Sequence, residues 1–364
     1  MSTDDLNKFY LMQLKLKNFR CFDDVVIDFD PRLTVLIAPN GGGKTAVLDA
    51  VEIAYRLFID TMLKKHGSSG FRQQDIRLKL DSEGIMKPML PLSFFAECVV
   101  LGKKITWDRK LESYAIHAKT TSKEAVALKN VAIQYNKHID DFTEGKTKNP
   151  PLLPLLGYYG TGRQWAVHKL TDRTKTDGIA PNSRHKGYED CLALIHNYKS
   201  FKIWFENMSR EQRQQEDHCT ISPHHPFEKL NVVKKAINQV VKVSGWNNLE
   251  WDFNLNTIRV THPKFGFLPV ESLSDGIRNM IGLVADIAHR AVRLNPHLGE
   301  YAAEKTSGVV LIDEVDMHLN PEWNCVCQTL LDAFPNIQFI VTMNSPHVIS
   351  TVDFGCIRKI QLED

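Results

Sequence analysis

Ala38-Pro39-Asn40-Gly41-Gly42-Gly43-Lys44-Thr45 places three consecutive glycines just before a lysine and a hydroxyl residue. Glycines let the backbone curl until successive N–H groups point at one anion, and a following helix adds the positive end of its dipole. Lys44 then supplies charge for the β and γ phosphates of a nucleotide, and the Thr45 hydroxyl suits Mg²⁺. Ala38 stands where the G-x-x-x-x-G-K-[ST] pattern has its first glycine, a change that a negative φ accommodates. Far along the chain, Val309-Val310-Leu311-Ile312-Asp313-Glu314 ends an apolar run in two adjacent carboxylates. Asp313 suits the metal, directly or through water, and Glu314 suits a general base toward an attacking water. Leu273-Ser274-Asp275-Gly276 lies upstream of this pair, ahead of an apolar helix. Ser274 and Gly276 at a helix N-terminus make a second anion site. With one phosphate loop in the chain, its natural use is in trans, over the γ-phosphate held by another copy. Each motif alone has a plainer reading: a glycine turn, an acidic strand end, a helix cap. Their order together argues for nucleotide chemistry.

Such a loop works only between a buried strand and a helix. Leu33 to Ala38 is a continuous apolar run, as a strand covered on both faces requires. Thr45 to Leu63 carries Val47, Leu48, Val51, Ala54, Leu57 and Phe58 at helical spacing. Met12 to Phe19 and Val25 to Phe29 alternate as strands, and Phe94 to Leu101 and Ile105 to Leu111 read as a strand pair. From 112 to 250 the texture is mainly helical and polar, without sustained heptads, so it reads as an insertion. The core is expected in two halves, 1–111 with the phosphate loop and 251–364 with the other motifs. In the second half, Val309 to Ile312 and Gln338 to Thr342 are predicted strands, separated by a helix opening at Pro321. No internal repeat is present.

Composition narrows the partners. In 364 residues, 45 basic against 43 acidic side chains give a formal charge of +2, too even to announce a nucleic-acid or membrane binder. An apolar fraction of 43% with 24% charged excludes wholesale disorder. No apolar run reaches the ~18 residues of a membrane span, and the charged start lacks a secretory apolar core. Seven cysteines without CxxC pairs fit reduced thiols and a cytoplasmic location. Charge is locally uneven. Residues 161–188 hold six basic side chains against two acidic, and 64–79 hold five against one, either solvated faces or tracks for DNA or RNA. His218, Cys219, His224 and His225 match no familiar zinc spacing and read as a polar loop. Cys325 and Cys327 fall on opposite helix faces, and Trp165, Trp246 and Trp251 read as core.

The three motifs in this order resemble the ABC-type ATPase head of the RecF/SMC-like branch. Leu153-Pro154-Leu155-Leu156-Gly157-Tyr158-Tyr159-Gly160-Thr161-Gly162-Arg163, LSDGIRNMIGLVADIAHRA, LNPHLG, GVVLIDEVDMHLNPEW and FPNIQFIVTMNSP narrow the match. They resemble a bacterial group of predicted ATP-binding, SMC-like AAA family proteins. Members recur in anti-phage defence operons beside or fused to nucleases, as the overcoming-lysogenization-defect family is. The resemblance spans nearly the whole chain. It implies an α/β P-loop ABC-type ATPase head, a mixed sheet with an antiparallel N-terminal subdomain, carrying a mainly helical insertion. It also implies ATP and Mg²⁺ as cofactors, and a homodimer or higher homo-oligomer in which Leu273 to Gly276 complete the partner's site. The function implied is control of an effector, a nuclease or toxin encoded nearby. The runner-up is a DNA-end or repair clamp; a transporter subunit is disfavoured by the long span between Lys44 and Leu273.

Two departures bear on turnover. The family's switch has a histidine where this chain has Asn344, in Met343-Asn344-Ser345-Pro346, and its H-L-H-P is here His318-Leu319-Asn320-Pro321. An amide donates a hydrogen bond but carries no charge, so hydrolysis is expected to be slow and bound ATP to act as a clamp. Gln73 and Gln74 are candidates for the Mg²⁺-sensing loop by position. Arg163 either reaches phosphate or nucleic acid, or pairs with a structural carboxylate.

Overall fold

The computed structural model describes residues 8–65, 70–113, 126–162, 183–193, 198–218, 226–320 and 323–362. Strands β1 (Phe9–Phe19) and β2 (Phe22–Asp28) form a hairpin turned at Arg20, which has a positive φ. β3 (Leu33–Ile37) enters the phosphate loop and α1 (Lys44–Met62) leaves it. Apolar residues occupy most of the circumference of α1, so it is buried nearly throughout, with Tyr55 and Phe58 against the Phe9 ring. A small hairpin, β4 (Leu78–Leu80) with β5 (Met86–Pro88), precedes β6 (Leu92–Val100) and β7 (Lys103–Leu111). Leu101 and Gly102, both at positive φ, close the turn between that pair, as a two-residue hairpin requires. These longer strands make an antiparallel sheet in the order β2-β1-β6-β7.

Helix α2 (Val126–Thr143) packs on α1, and β8 (Leu155–Tyr159) follows. Helices α3 (Tyr198–His218) and α4 (Pro226–Val241) lead to an antiparallel sheet of β9 (Asn247–Asp252), β10 (Thr257–His262) and β11 (Gly266–Pro269). Helix α5 (Asp275–Leu294) packs on α4. Then come α6 (Ala302–Lys305), β12 (Gly308–Ile312), α7 (Val326–Ala333), β13 (Ile337–Thr342), α8 (Pro346–Ile349) and β14 (Ile357–Lys359). The central sheet is parallel throughout, in the order β14-β3-β13-β12-β8. β8, β12 and β13 are buried at every residue, which is why they read as unbroken apolar runs. Trp246 and Trp251 are buried. Trp165 lies outside the described residues.

The α/β class and the antiparallel N-terminal part match expectation. The parallel and antiparallel strands, however, fall in separate sheets and not in one mixed sheet. The span 112–250 contains, besides its helices, strand β8, which pairs with β12 at the edge of the central sheet. Among the described residues the helix expected from Pro321 begins at Val326; ahead of it Trp323 is buried and its N–H donates to the Asn320 carbonyl at 2.9 Å. Among the described residues no helix is long and apolar enough to cross a membrane.

One polar side chain joins the two large sheets. Gln338 on β13 is buried, and its amide donates to the carbonyls of Leu11 (2.8 Å) and Asp30 (2.7 Å). Its Oε1 accepts from the Leu11 N–H at 2.8 Å. The β1–β6 register slips between Leu11 and Gln13, so Gln338 holds the backbone where the ladder is interrupted. Gln338→Leu would leave the Leu11 N–H and C=O buried without this partner, at ~1–3 kcal/mol for each orphaned group. The expected loss of ~2–6 kcal/mol should appear in urea unfolding as a lower midpoint with an unchanged slope.

Candidate functional site

The predicted site residues come from the carboxyl ends of neighbouring parallel strands, where open α/β sheets gather ligands. Asn40 to Thr45 follow β3, Asp313 and Glu314 follow β12, and Asn344 follows β13. Gly43 takes φ +88°, and a Cβ there would stand 2.5 Å from the Phe22 ring and 2.8 Å from Cys21 Sγ. Glycine is therefore demanded twice, by the backbone and by the β1–β2 turn pressed against the loop. Ala38 is absent from the positive-φ residues, so its methyl group costs the loop nothing there. The Lys44 side chain is buried and its ammonium donates to the Ala38 carbonyl at 2.7 Å, folded across the loop.

Asp313 is the centre of the arrangement. Its Oδ2 accepts from the Thr45 hydroxyl (2.9 Å) and its Oδ1 from the Thr342 hydroxyl (2.6 Å). The Thr342 oxygen in turn accepts from the Glu314 N–H at 2.7 Å. Glu314 sits at φ 51°, a conformation that costs a non-glycine residue ~1–3 kcal/mol and turns the chain sharply off the strand. Its carboxylate accepts from the Asn344 amide at 3.2 Å. Asp316 holds the next loop by accepting from the N–H groups of Asn344 and Ser345. A carboxylate between two hydroxyls, beside a lysine and a helix N-terminus, is a donor set that fits a triphosphate with Mg²⁺.

The Leu273-to-Gly276 motif has a divided character. Leu273 and Gly276 are buried, whereas Ser274 and Asp275 are exposed at the start of α5. Ser274 is the N-cap residue, yet its hydroxyl makes no capping bond, and Asp275 pairs with Arg278. A Cβ on Gly276 would meet the His318 carbonyl oxygen at 2.2 Å. The glycine is thus required by close packing within the chain, against the loop that follows Glu314. The sequence reading assigned it only to anion binding.

Thr342, Asp316 and a cluster beside α1 were missed from sequence. Tyr158 donates to Asp49 Oδ1 at 2.6 Å, and Arg20 bridges Asp49 and the buried Asp75, the latter at 2.8 Å. This cluster lines a cavity of about 560 Å³ together with Gln74; Gln73 and Gln74 are both exposed. Glu52 lines the same cavity, and burial pushes its carboxyl up to about 7 despite the Arg56 partner. Nothing local in the sequence marks this cluster, because Arg20, Asp49, Asp75 and Tyr158 are far apart along the chain. Of the basic run 64–79, Lys64 pairs with Asp140 (3.8 Å) and Arg77 with Asp23 (2.7 Å). Arg163 lies outside the described residues, as do Cys219, His224 and His225 and most of 161–188.

A parallel sheet whose carboxyl edge carries a phosphate loop, an aspartate bonded to its threonine and an adjacent glutamate is the arrangement of a P-loop ATPase fold. The chain belongs to the AAA_23 family, an AAA domain, which it matches over residues 13–242. It is similar to a retron Vc95 probable ATPase of Vibrio cholerae serotype O1 biovar El Tor, 23% identical over 97% of this chain and 74% of that protein. It is also similar to a Septu protein PtuA of Bacillus mycoides (strain KBAB4), 27% identical over 66% of this chain and 40% of the relative. Among solved structures, an SMC head bound to the C-winged helix domain of ScpA matches with a TM-score of 0.53 at 14% identity, over 94% of this chain and 93% of that one. At that identity the likeness is one of fold.

Thr342→Val keeps the shape of the side chain and removes both of its hydrogen bonds. Stability should fall by ~1–3 kcal/mol, since the Glu314 N–H and Asp313 lose a partner. ATP turnover should fall more at limiting than at saturating Mg²⁺, as a magnesium titration of each protein would read.

Proposed function

We propose that this protein is an ATP-binding, slowly hydrolysing ATPase that assembles through composite sites and controls an effector in anti-phage defence. The observation that carries the catalytic part is the chain of contacts from Thr45 through Asp313 and Thr342 to Glu314 and Asn344. In this reading Asn40 to Lys44 bind the phosphates of ATP, and Thr45 and Asp313 hold Mg²⁺. The metal, when bound, neutralises charge on the β and γ phosphates. Glu314 takes a proton from the attacking water as the bond from the γ-phosphorus to the bridging oxygen breaks, releasing ADP and phosphate. Asn344 orients that carboxylate from its amide. It cannot become charged, which favours slow turnover and a long-lived ATP state.

Assembly rests on Ser274, exposed at the head of a twenty-residue helix with its hydroxyl uncommitted to the cap. A second copy supplies the γ-phosphate that this helix end would face, so the unit of function is a homodimer or a larger homo-oligomer. Residues 1–111 and 251–364, together with β8, form the ATP-binding core. Helices α2 to α4 are the part left to contact an effector protein, a nuclease or toxin. The likeness to retron and Septu proteins is what supports the defence setting. A DNA clamp is the second reading, supported by the SMC-head fold. It requires ATP turnover that responds to DNA, and a flat response over a range of DNA and salt would end it.

Two variants test the main reading. Glu314→Gln should trap an ATP-bound dimer or larger assembly on size exclusion with light scattering, and monomer alone with ATP would overturn the composite site. Asn344→His should raise turnover by between threefold and thirtyfold, equivalent to ~0.7–2 kcal/mol off the barrier. Wild-type turnover should lie well below the ~10 per second of a median enzyme.

A further inference from the structure

The small hairpin of β4 and β5 turns its apolar side to solvent. Among the described residues the two strands pair only with each other, Leu78 opposite Pro88, Lys79 opposite Lys87 and Leu80 opposite Met86. Side chains alternate across a strand, so Leu78, Leu80, Met86 and Pro88 share one face and the two lysines the other. The charged side is the one anchored to the larger antiparallel sheet. Arg77, in step with Lys79, pairs with Asp23 of β2 at 2.7 Å, and Arg77 first and Lys79 in addition hold the Asp23 carboxyl below its ordinary value. The apolar side therefore looks outward, with Leu78 47%, Leu80 60% and Met86 55% exposed. The hairpin does not need that face for its shape. Asp81 Oδ1 accepts from the N–H groups of Glu83 and Ile85, both at 2.9 Å, its Oδ2 meets the Lys87 ammonium at 2.8 Å, and Gly84 takes φ +77°. At the base, the Arg77 N–H donates to the Asn18 carbonyl at 3.0 Å. Asn18 adjoins the β1–β2 turn whose Cys21 and Phe22 press on Gly43, so the hairpin springs from the strand end that borders the phosphate loop.

Apolar side chains held to water by a built turn stabilise nothing in the lone chain. This patch, on the order of 400 Å², is of the size that marks interaction sites on monomers. Its composition decides what fits it. The face carries no charge and no strong hydrogen-bonding side chain, so a nucleic acid or an acidic segment finds nothing there to pair with. A second copy on a twofold axis brings the identical face, with the lysines of both hairpins on the outer sides, and so sets no like charges against each other. Two copies would bury on the order of 800 Å², short of the ~1,200 Å² at which stable interfaces begin, so this contact adds to another and does not replace it. We propose that the outer face of the β4–β5 hairpin packs on the same face of a second copy as an auxiliary contact of the assembly. It rests on the composite-site reading for the contact that first brings two copies together, beside the phosphate loop from which the hairpin springs. Leu273 to Gly276 take no part in it.

The test uses the full chain carrying Glu314→Gln, followed by sedimentation velocity over a concentration series with and without ATP. Adding Leu80→Lys and Met86→Lys should raise the dissociation constant of the ATP-bound assembly at least tenfold and leave the urea midpoint where it was. Leu80→Ile with Met86→Leu keeps the face apolar and should hold that constant within twofold. Without ATP, the unaltered face should give weak reversible association at the highest concentrations, which the two lysines remove. That arm does not involve the composite site, so a chain that stays monomeric with ATP defeats the composite-site reading and leaves the hairpin contact still readable. The proposal is overturned if the lysine pair leaves both arms as they were, because the face then serves a different protein. It is equally overturned if the pair lowers the urea midpoint, because the face then packs within its own chain.

Discussion

The carboxylate of Asp313 is held between two hydroxyls, one from the first turn of α1 and one from the end of β13. Everything else at the carboxyl edge of the sheet is arranged around that contact. Asp313 is buried, and a buried carboxylate needs hydrogen-bond donors to replace the water it has lost. Thr45 at the start of α1 and Thr342 at the end of β13 meet this requirement, so the aspartate cannot shift without moving the phosphate loop or the end of β13. The same Thr342 oxygen accepts the Glu314 N–H, which fixes the sharp turn that carries the glutamate out of the sheet. A single hydroxyl therefore sets both carboxylates of the pair.

The second constraint is steric. Gly276 lies so close to the His318 carbonyl that no side chain fits. This packing ties the start of α5 to the loop running on from Glu314, within one chain. A displacement of that loop is passed to Ser274, because close-packed backbone has little freedom to absorb it. Asp316 adds the other connection, accepting from the backbone of Asn344 and Ser345. The loop after the two carboxylates thus touches both the start of α5 and the backbone that follows β13.

Much of this was legible in the sequence because the phosphate loop, the Asp-Glu pair and the Leu273-to-Gly276 motif are local patterns. Each depends on a few adjacent residues and on the strand or helix next to them. The two pairs of antiparallel strands were legible through their alternation, and the central strands through their unbroken apolar runs. What stayed hidden depends on distance along the chain. Nothing near Leu155 says that it pairs with Gly308, and parallel pairing gives no local turn to read. Gln338 looks like an anomaly in an apolar strand until Leu11 and Asp30 are seen beside it. Thr342 reads as an ordinary β-branched strand residue, and its two hydrogen bonds arise only once β12 and β13 lie side by side. Gly276 carried a motif reading that fitted its position, while its packing against His318 could be known only from the fold.

Glu314 and Asn344 show how the remaining chemistry follows from geometry. A glutamate at the end of a buried strand would normally continue the strand's direction. Here the left-handed turn at Glu314, stabilised through Thr342, brings its carboxylate within 3.2 Å of the Asn344 amide across the gap between β12 and β13. The amide can hold the carboxylate in place but offers it no proton and no charge. A histidine there would change its protonation within the physiological range and let the pair respond to each step of hydrolysis. The asparagine gives a fixed contact with the same donor at every stage. The contact between β12 and β13 is therefore one of fixed polarity, set by the backbone turn at Glu314 and by an amide that keeps a single protonation state.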